Sequence, residues 1–201
     1  MNETPALIVG LGNPGREYRL NRHNAGFLAV DRLVHRQGWP AFTRKQSNAL
    51  ITSGDVDGRR VIAAKPQTFM NLSGGSVAGL ARFYQIPPEA VMICIDDLNL
   101  PFGSIRIRPR GSAGGQRGLQ SIIDSLGNDR FPRLRIGIGR PPGQMRHAAY
   151  VLKDFNDDEL DQLDVVFDKA VDAILGWMAD GIDLAMSRFN GPLEGPQTAD
   201  R

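Results

Sequence analysis

The chain has 201 residues, 41% of them hydrophobic and 23% charged, a length and composition typical of a globular domain with a sizeable core. Its single cysteine excludes an internal disulfide and no apolar run reaches the ~18 residues of a membrane-spanning helix, so we expect a soluble cytoplasmic protein without membrane association. The formal net charge of +2 is small, but the charges are unevenly distributed along the chain. Residues 100–150 contain nine arginines and two aspartates, whereas residues 151–183 contain ten acidic residues and two lysines. This asymmetry predicts separate basic and acidic surfaces.

Apolar periodicity along the chain predicts alternating strands and helices, interrupted by one hairpin. In chain order the pattern predicts a strand over 6–11, a helix over 24–36, a hairpin with strands over 49–53 and 60–64, a helix over 76–84, strands over 91–95 and 105–108, a helix over 118–126, a strand over 134–138 and a long amphipathic helix over 157–178. This alternation is typical of an α/β fold. We expect a single-domain three-layer sandwich, in which helices flank a mixed, mostly parallel twisted sheet.

The composition also predicts where the domain ends and what one strand exposes. Residues 1–190 form the predicted domain, while the Gly, Pro and polar residues of 191–201 predict a disordered tail. In the strand 105–108, isoleucines alternate with Arg106 and Arg108, which predicts a half-exposed strand with a basic outer face. Asn24 lies where it would cap the helix that follows.

A glycine-rich loop follows the first predicted strand. Residues 10–15 (GLGNPG) match the G-x-G-x-x-G pattern of dinucleotide-binding loops, which raises the alternative of a nucleotide-dependent oxidoreductase. In such loops a helix begins at once and its free N–H groups hold the pyrophosphate, whereas here Pro14 removes a donor and the helical pattern begins only near Asn24. The acid expected about 20 residues further on would be Asp31, inside the predicted helix. We therefore interpret the loop as a tight turn that brings Asn13 to the carboxyl end of a strand.

Three polar segments lie near the ends of predicted buried strands or in adjoining loops, at 13–24, 65–71 and 96–99. A histidine such as His23 titrates near neutrality and can act as a general base toward water. A carboxylate such as Asp96, bonded to the second ring nitrogen, would hold the tautomer and stabilise the charged ring. The carboxamides of Asn13 and Asn71 could hold an oxyanion or a peptide backbone. Taken singly, each residue also has a structural interpretation, with His23 capping a helix and Asp96 capping a turn.

Other hydrolytic signatures are absent from the sequence. It contains no G-x-S-x-G elbow, no H-E-x-x-H pair and no Cys/His cluster, so serine-nucleophile and zinc mechanisms have no visible support. His35 and His147 have no comparable polar neighbours and are interpreted as surface residues. Water activated by His23 is the hypothesis that remains.

These segments resemble a known family, the bacterial-type peptidyl-tRNA hydrolases. The order and spacing of several long motifs match over nearly the whole chain apart from the C-terminal tail, which makes the resemblance specific. The matching stretches are 10–15 (GLGNPG) with Tyr18, 22–26 (RHNAG), 65–74 (KPQTFMNLSG), 96–101 (DDLNLP) with Gly103, 114–115 and 118–119 (GG and GL), and 133–139 (RLRIGIG).

The resemblance implies an enzyme that hydrolyses the ester bond between a peptide, or an N-blocked aminoacyl group, and tRNA, releasing free tRNA for translation. It implies a monomer that uses neither a metal nor a cofactor. By this match His23 is the catalytic base, Asp96 orients it, and Asn13 acts at the same site. The implied contacts to substrate are Tyr18, Met70 and Asn71 in the cleft, and Arg108 and Arg135 on the phosphates of the acceptor stem and 3′ end.

Three positions depart from the family pattern. Asn21 replaces the usual Thr, and Asn99 replaces the second acid of Asp-Leu-Asp-Leu-Pro. The stretch 114–118 (GGQRG) replaces Gly-Gly-His-Asn-Gly, so Arg117 stands where the family has an asparagine that helps to place substrate and water. Because arginine cannot accept a hydrogen bond, that role is lost or moved, or Arg117 grips the 3′ end of the tRNA instead.

The rival interpretation is a non-catalytic RNA-binding paralog, a role in which plant organelles reuse this fold. Arg117 favours the paralog, because it alters the site. The joint presence of His23, Asp96, Asn13 and Asn71 favours the enzyme.

Overall fold

The computed structural model describes residues 4–192, and its centre is a seven-stranded sheet. The strands are β1 (Ala6–Gly10), β2 (Arg44–Gln46), β3 (Ala49–Val56), β4 (Arg59–Pro66), β5 (Val91–Asp97), β6 (Ile105–Arg108) and β7 (Arg133–Gly137). Their order across the sheet is β2-β3-β4-β1-β5-β7-β6. The central strands β4, β1, β5 and β7 run parallel, and antiparallel pairs complete both edges. The carboxyl ends of the central strands therefore meet at one edge of the sheet.

Helices cover both faces of this sheet. They are α1 (Ala25–Arg36), α2 (Ser73–Phe83), α3 (Arg117–Leu126), α4 (His147–Val151), α5 (Asp157–Leu160), α6 (Leu163–Asp180) and α7 (Ile182–Phe189). Met92 and Cys94 of β5 join the apolar core beneath α1 and α6, while Ile93 and Ile95 join the core beneath α2 and α3. This alternation follows from the two-residue period of a strand. The predicted three-layer α/β sandwich is confirmed.

Two glycines let α1 approach the sheet edge closely. A Cβ atom on Gly26 would lie 2.2 Å from the backbone oxygen of Cys94, and one on Gly10 would lie 2.2 Å from the backbone oxygen of Gly26. No side chain fits at either position without moving backbone atoms. The start of α1 therefore lies directly against β1 and β5.

Most of the predicted elements are confirmed, with boundaries shifted by a few residues. The hairpin β3–β4 turns at Asp57 and Gly58, both with positive φ, as an Asp-Gly turn requires. In β6 the isoleucines are buried and Arg106 and Arg108 are exposed, as predicted. The second helix begins at Ser73 rather than at residue 76.

The prediction of one helix over 157–178 was wrong. The segment forms two helices, α5 and α6, with a break at 161–162. Asn156 and Glu159 form a capping box that starts α5, and Glu159 also pairs with Arg22 of a distant segment. The elements β2, α4 and α7 were not predicted, and each has eight residues or fewer.

The end of the described chain returns to the sheet. The backbone of Gly191 exchanges two hydrogen bonds with Ile105, at 3.0 and 3.1 Å. The domain boundary at residue 190 and the disordered tail over 191–201 stay predictions, since residues 193–201 lie outside the described part. Within residues 4–192, no helix has the length and apolar character needed to cross a membrane.

Candidate active site

The imidazole of His23 and the carboxylate of Asp96 are in contact, although 73 positions separate them in the sequence. Nδ1 of His23 lies 2.9 Å from each carboxylate oxygen. His23 belongs to the 3-10 turn Arg22–Asn24 that leads into α1, and Asp96 lies on the side of β5 that carries Met92 and Cys94. The contact of Gly26 with Cys94 brings the turn onto this strand.

The surroundings of His23 suit a base that acts on water. Burial disfavours the charged ring and by itself lowers the pKa of His23, but the negative charge and the hydrogen bond of Asp96 outweigh it, so the pKa lies above its ordinary value. An ionised carboxylate only accepts hydrogen bonds, so Nδ1 carries the proton and Nε2 is the nitrogen left to take one. The His23 side chain is 16% exposed, so water and a substrate can reach it.

A cleft of about 600 Å³ opens beside the His23–Asp96 pair. Its lining draws on the loops after β1, β4 and β5, on the start of α3 and on α4. Seven of the residues singled out in the sequence line it, namely Asn13, His23, Met70, Asn71, Asp96, Arg117 and Arg135.

Asn24 holds the glycine-rich loop in place. Its side-chain oxygen accepts a hydrogen bond from the N–H of Asn13 at 2.7 Å, and its side-chain nitrogen donates to the Asn13 carbonyl at 3.0 Å. Asn24 occupies the N-cap position of α1, as predicted, but its side chain makes no capping hydrogen bond, because both of its polar atoms bond to Asn13. The backbone of Asn13 is thereby fixed at the cleft.

Met70 and Asn71 lie in a 3-10 turn, Met70–Leu72, between β4 and α2. Met70 is buried and its sulfur lies 3.7 Å from the side-chain nitrogen of Gln116, while Asn71 is exposed on the cleft. The neighbouring Phe69 also lines the cleft with 71% of its surface exposed, which gives the cleft an apolar rim.

The two arginines of the cleft differ in their partners. Arg135 is bound to Asp97 at 3.1 Å and its other terminal nitrogen lies 3.4 Å from the carbonyl of Ser112. Asp97 also accepts a hydrogen bond from the backbone of Asn99. The exposed side chain of Arg117 makes no hydrogen bond or ion pair with any residue between 4 and 192.

Two residues from the sequence-based set lie outside the cleft lining. Tyr18 lies in a 3-10 turn, where its N–H donates to the Gly15 carbonyl and its own carbonyl accepts from the Asn21 N–H. It is not among the residues that line the cleft, and its contact with substrate stays a prediction. Arg108 lies on the edge strand β6, exposed and paired in register with Arg133. Its position suits contact with a large ligand that extends beyond the cleft.

His147 lines the cleft, although the sequence indicated only a surface residue. It is exposed, as expected, and belongs to α4, whose Val151 also borders the cleft. Gln116 at the start of α3 was missed as well. Sequence patterns offered no signal for His147, because α4 has only five residues. Gln116 belongs to the stretch 114–118 that departs from the family pattern, but no role was assigned to it, and its side chain caps α3 by accepting a hydrogen bond from the Leu119 N–H.

The described residues give no support to the other chemistries that the sequence raised. The loop after β1 leads into 3-10 turns, and α1 begins only at Ala25, so no helix begins at the glycine loop to hold a pyrophosphate. Between residues 4 and 192, no group of three or more His, Cys, Asp or Glu side chains could hold a metal ion.

Comparisons with known proteins identify the family of the chain. The sequence profile of the family described as Peptidyl-tRNA hydrolase matches residues 7–198. The chain is 46% identical over 190 residues to a peptidyl-tRNA hydrolase of Rhodococcus opacus (strain B4), covering 94% of this chain and 100% of that protein. It is 48% identical over 185 residues to one of Chloroflexus aurantiacus (strain ATCC 29366 / DSM 635 / J-10-fl), covering 92% and 98%.

A solved structure shows the same likeness in three dimensions. The crystal structure of peptidyl-tRNA hydrolase from Acinetobacter baumannii superposes with a TM-score of 0.87 at 36% identity, covering 96% of this chain and 97% of that one. The matched residues 7–198 include every element that lines the cleft. The chain belongs to the peptidyl-tRNA hydrolase family.

Proposed function

We propose that this chain hydrolyses the ester bond between a peptide, or an N-blocked aminoacyl group, and the 3′ end of its tRNA, with water activated by His23. The observation that carries the proposal is the His23–Asp96 pair, joined at 2.9 Å inside a cleft that Asn13, Met70 and Asn71 also line. Membership of the peptidyl-tRNA hydrolase family supports the same reaction.

In the proposed reaction, Nε2 of His23 takes a proton from water as the water oxygen attacks the ester carbonyl. Asp96 stabilises the charged ring, and the tetrahedral intermediate then expels the ribose oxygen, which recovers the proton from His23. The products are a peptide carboxylic acid, which loses its proton to solvent, and a free ribose hydroxyl on the tRNA. Positioned general-base catalysis contributes about 10²–10⁴-fold, and orientation and oxyanion stabilisation supply the rest.

The two carboxamides and Met70 position the reacting end. Asn13 lies on a loop held by Asn24, which bonds to its backbone N–H and carbonyl. The side-chain amide of Asn13 can donate an N–H to the oxyanion or to the peptide backbone. Asn71 is exposed on the loop after β4 and can bind the peptide, while the buried Met70 contributes an apolar surface to the cleft. This assignment follows from where the side chains line the cleft.

The tRNA itself is bound through phosphates. Arg117 and Arg135 line the cleft and serve the 3′ end, whereas Arg108 lies beyond it on β6 and suits the acceptor stem. Phosphate contacts supply affinity without base specificity, which fits an enzyme that must accept many tRNAs. The family resemblance further supports a monomer in the cytoplasm acting without metal or cofactor, and sedimentation of the purified protein measures its mass.

The decisive experiment follows tRNA release from N-acetylated aminoacyl-tRNA by purified protein in the presence of a chelator. We expect turnover by the wild type, its near-complete loss in His23→Ala, and little change in tRNA affinity, because the imidazole acts on water rather than on tRNA. His35→Ala is the matched control, an exposed histidine of α1 outside the cleft. Wild-type turnover by His23→Ala refutes the mechanism, and tRNA binding without turnover by the wild type supports the RNA-binding paralog.

A further inference from the structure

The charged side chains that line the cleft are two carboxylates and two guanidinium groups, and one of the guanidinium groups has no partner among residues 4–192. Two carboxylates line it, and both are occupied, Asp96 by His23 and Asp97 by Arg135 and the backbone of Asn99. Arg117 lines the same cleft without an acid or a carbonyl as partner among the described residues. A guanidinium keeps its charge at any physiological pH, so this cation is left for a ligand.

The base of the Arg117 side chain is held close to the reacting end of the cleft. A Cβ atom on the next residue, Gly118, would lie 2.6 Å from the sulfur of Met70 and 2.8 Å from Leu11, so the first turn of α3 packs tightly on both. Leu11 precedes Asn13 by two residues, and Met70 precedes Asn71. Arg117 therefore projects from backbone that is fixed against both substrate-binding loops.

The loop that leads into α3 is equally well fixed. The buried guanidinium of Arg133 donates hydrogen bonds to the carbonyls of Gly111, Asp129 and Phe131. The side-chain oxygen of Gln116 accepts a bond from the Leu119 N–H at 2.9 Å, which caps the helix. The backbone of Arg117 is thus already fixed, and binding of a ligand has to order only its side chain.

The substrate offers one anion close to the scissile bond. The ester lies on the ribose of the terminal nucleoside, and an N-blocked peptide is uncharged at the reacting end. The phosphodiester on the 5′ side of that same ribose is the nearest charge of the tRNA. A guanidinium matches phosphate oxygens with two parallel N–H donors, which makes arginine well suited to this group.

We propose that Arg117 binds the phosphodiester that joins the last two nucleotides of the tRNA and so makes turnover depend on that phosphate, an inference that rests on the proposed function. Arg117 holds the terminal nucleotide so that its ester lies beside His23. Arg135 is less free for this role because Asp97 occupies one of its nitrogens, and Arg108 is outside the cleft.

The test uses two N-acetylated aminoacyl-tRNAs that differ in a single linkage. One is unmodified, and in the other the last phosphodiester is replaced by an uncharged methylphosphonate. We expect the wild type to lose about 10-fold in kcat/KM on the methylphosphonate tRNA, the value of one charge-assisted hydrogen bond. On the unmodified tRNA, Arg117→Ala should have a kcat/KM about 10-fold below that of the wild type, and the methylphosphonate should cause it no further loss. Arg117→Lys should retain part of the preference for the phosphodiester over the methylphosphonate.

Arg130→Ala is the matched control, an exposed arginine that precedes β7 and lies outside the cleft lining. It removes the same charge and should keep the wild-type preference for the phosphodiester. An equal preference in Arg117→Ala and wild type overturns the inference, as does a wild type indifferent to the substitution. Equal losses by Arg117→Ala on both tRNAs also overturn it, since they indicate a role at the ester or in folding. A wild type inactive on both tRNAs overturns the proposed function, and the inference with it.

Discussion

Among single residues, His23 illustrates how two opposing effects set the properties of a base. Burial disfavours its charged form, and Asp96 favours that form through charge and a hydrogen bond. The balance raises the pKa of His23, so the neutral base is depleted when the pH falls below this raised value. In the proposed mechanism activity rises with pH through the pKa of His23.

Asp96→Asn separates these two effects. Without the carboxylate only burial acts on the ring, so we expect the pKa of His23 to fall and the acid limb of the kcat/KM profile to move to lower pH. The maximal rate should drop about 10²–10⁴-fold because the charged ring loses its partner and its tautomer is no longer held. A pH–rate profile measures both quantities, and an acid limb that stays in place contradicts the assigned pairing.

Among the secondary-structure elements, α4 forms one wall of the cleft although it is short and three of its five residues are exposed. The segment that follows it is tied to the turn that carries His23. The side chain of Asn21 donates to the carbonyl of Leu152 at 2.6 Å, and the Arg22 guanidinium donates to that of Asp154 at 2.6 Å. Arg22 also pairs with Glu159 at 2.5 Å and stacks on Tyr150.

We expect Arg22→Met to loosen this wall. Both partners of the ion pair are largely buried, and removal of one partner leaves Glu159 without its cation, at a cost of about 3–5 kcal/mol in the free energy of unfolding. Amides of residues 147–155 should exchange hydrogen faster, and kcat/KM should fall. Denaturant unfolding and hydrogen exchange measure the two effects.

Arg32→Met is the control for that experiment, since Arg32 pairs with Asp168 on the solvent side of α1 and α6. It should cost less than about 1 kcal/mol, as exposed ion pairs do, and leave exchange over 147–155 unchanged. Equal exchange in the two variants is incompatible with Arg22 anchoring the cleft wall.

For the molecule as a whole, the charge asymmetry of the sequence has two structural outcomes. Part of the acidic run holds α6 on α1, where Arg32 and Arg36 pair with aspartates of α6, among them Asp168 and Asp172. The basic run contributes Arg106 and Arg108 to the exposed side of β6, next to the cleft arginine Arg135. A basic surface therefore continues outward from the cleft.

Arg108→Ala should weaken tRNA binding and reduce its dependence on salt. One phosphate contact contributes about one unit to the slope of the logarithm of the binding constant against the logarithm of salt concentration, so the slope should become shallower by about one. Arg44→Ala is the control, an exposed arginine on β2 at the opposite edge of the sheet. Equal slopes for the two variants would show that β6 does not touch the tRNA.

Much of the site could be predicted because it follows from local rules. Apolar periodicity indicated the strands, and polar residues near the ends of buried strands indicated the candidate chemistry. His23, Asp96, Asn13 and Asn71 were singled out in this way and line one cleft. Tyr18 was expected there only through the family resemblance, and its role stays a prediction, since it lies outside the residues that line the cleft.

The sequence alone indicated the fold class, the candidate base and its carboxylate, and the basic strand. The fold class follows from the order of strands and helices, the two site residues from polar side chains near strand ends, and the basic strand from alternation within one element. Only the tertiary structure decided that the Asn24 side chain bonds to Asn13, that α4 forms a wall of the cleft, and that Arg135 is paired while Arg117 has no partner among residues 4–192. These outcomes depend on contacts between segments far apart in the chain, such as the 131 positions from Asn21 to Leu152. Periodicity reports which face of an element is buried, and it carries no information on which distant side chain meets it there.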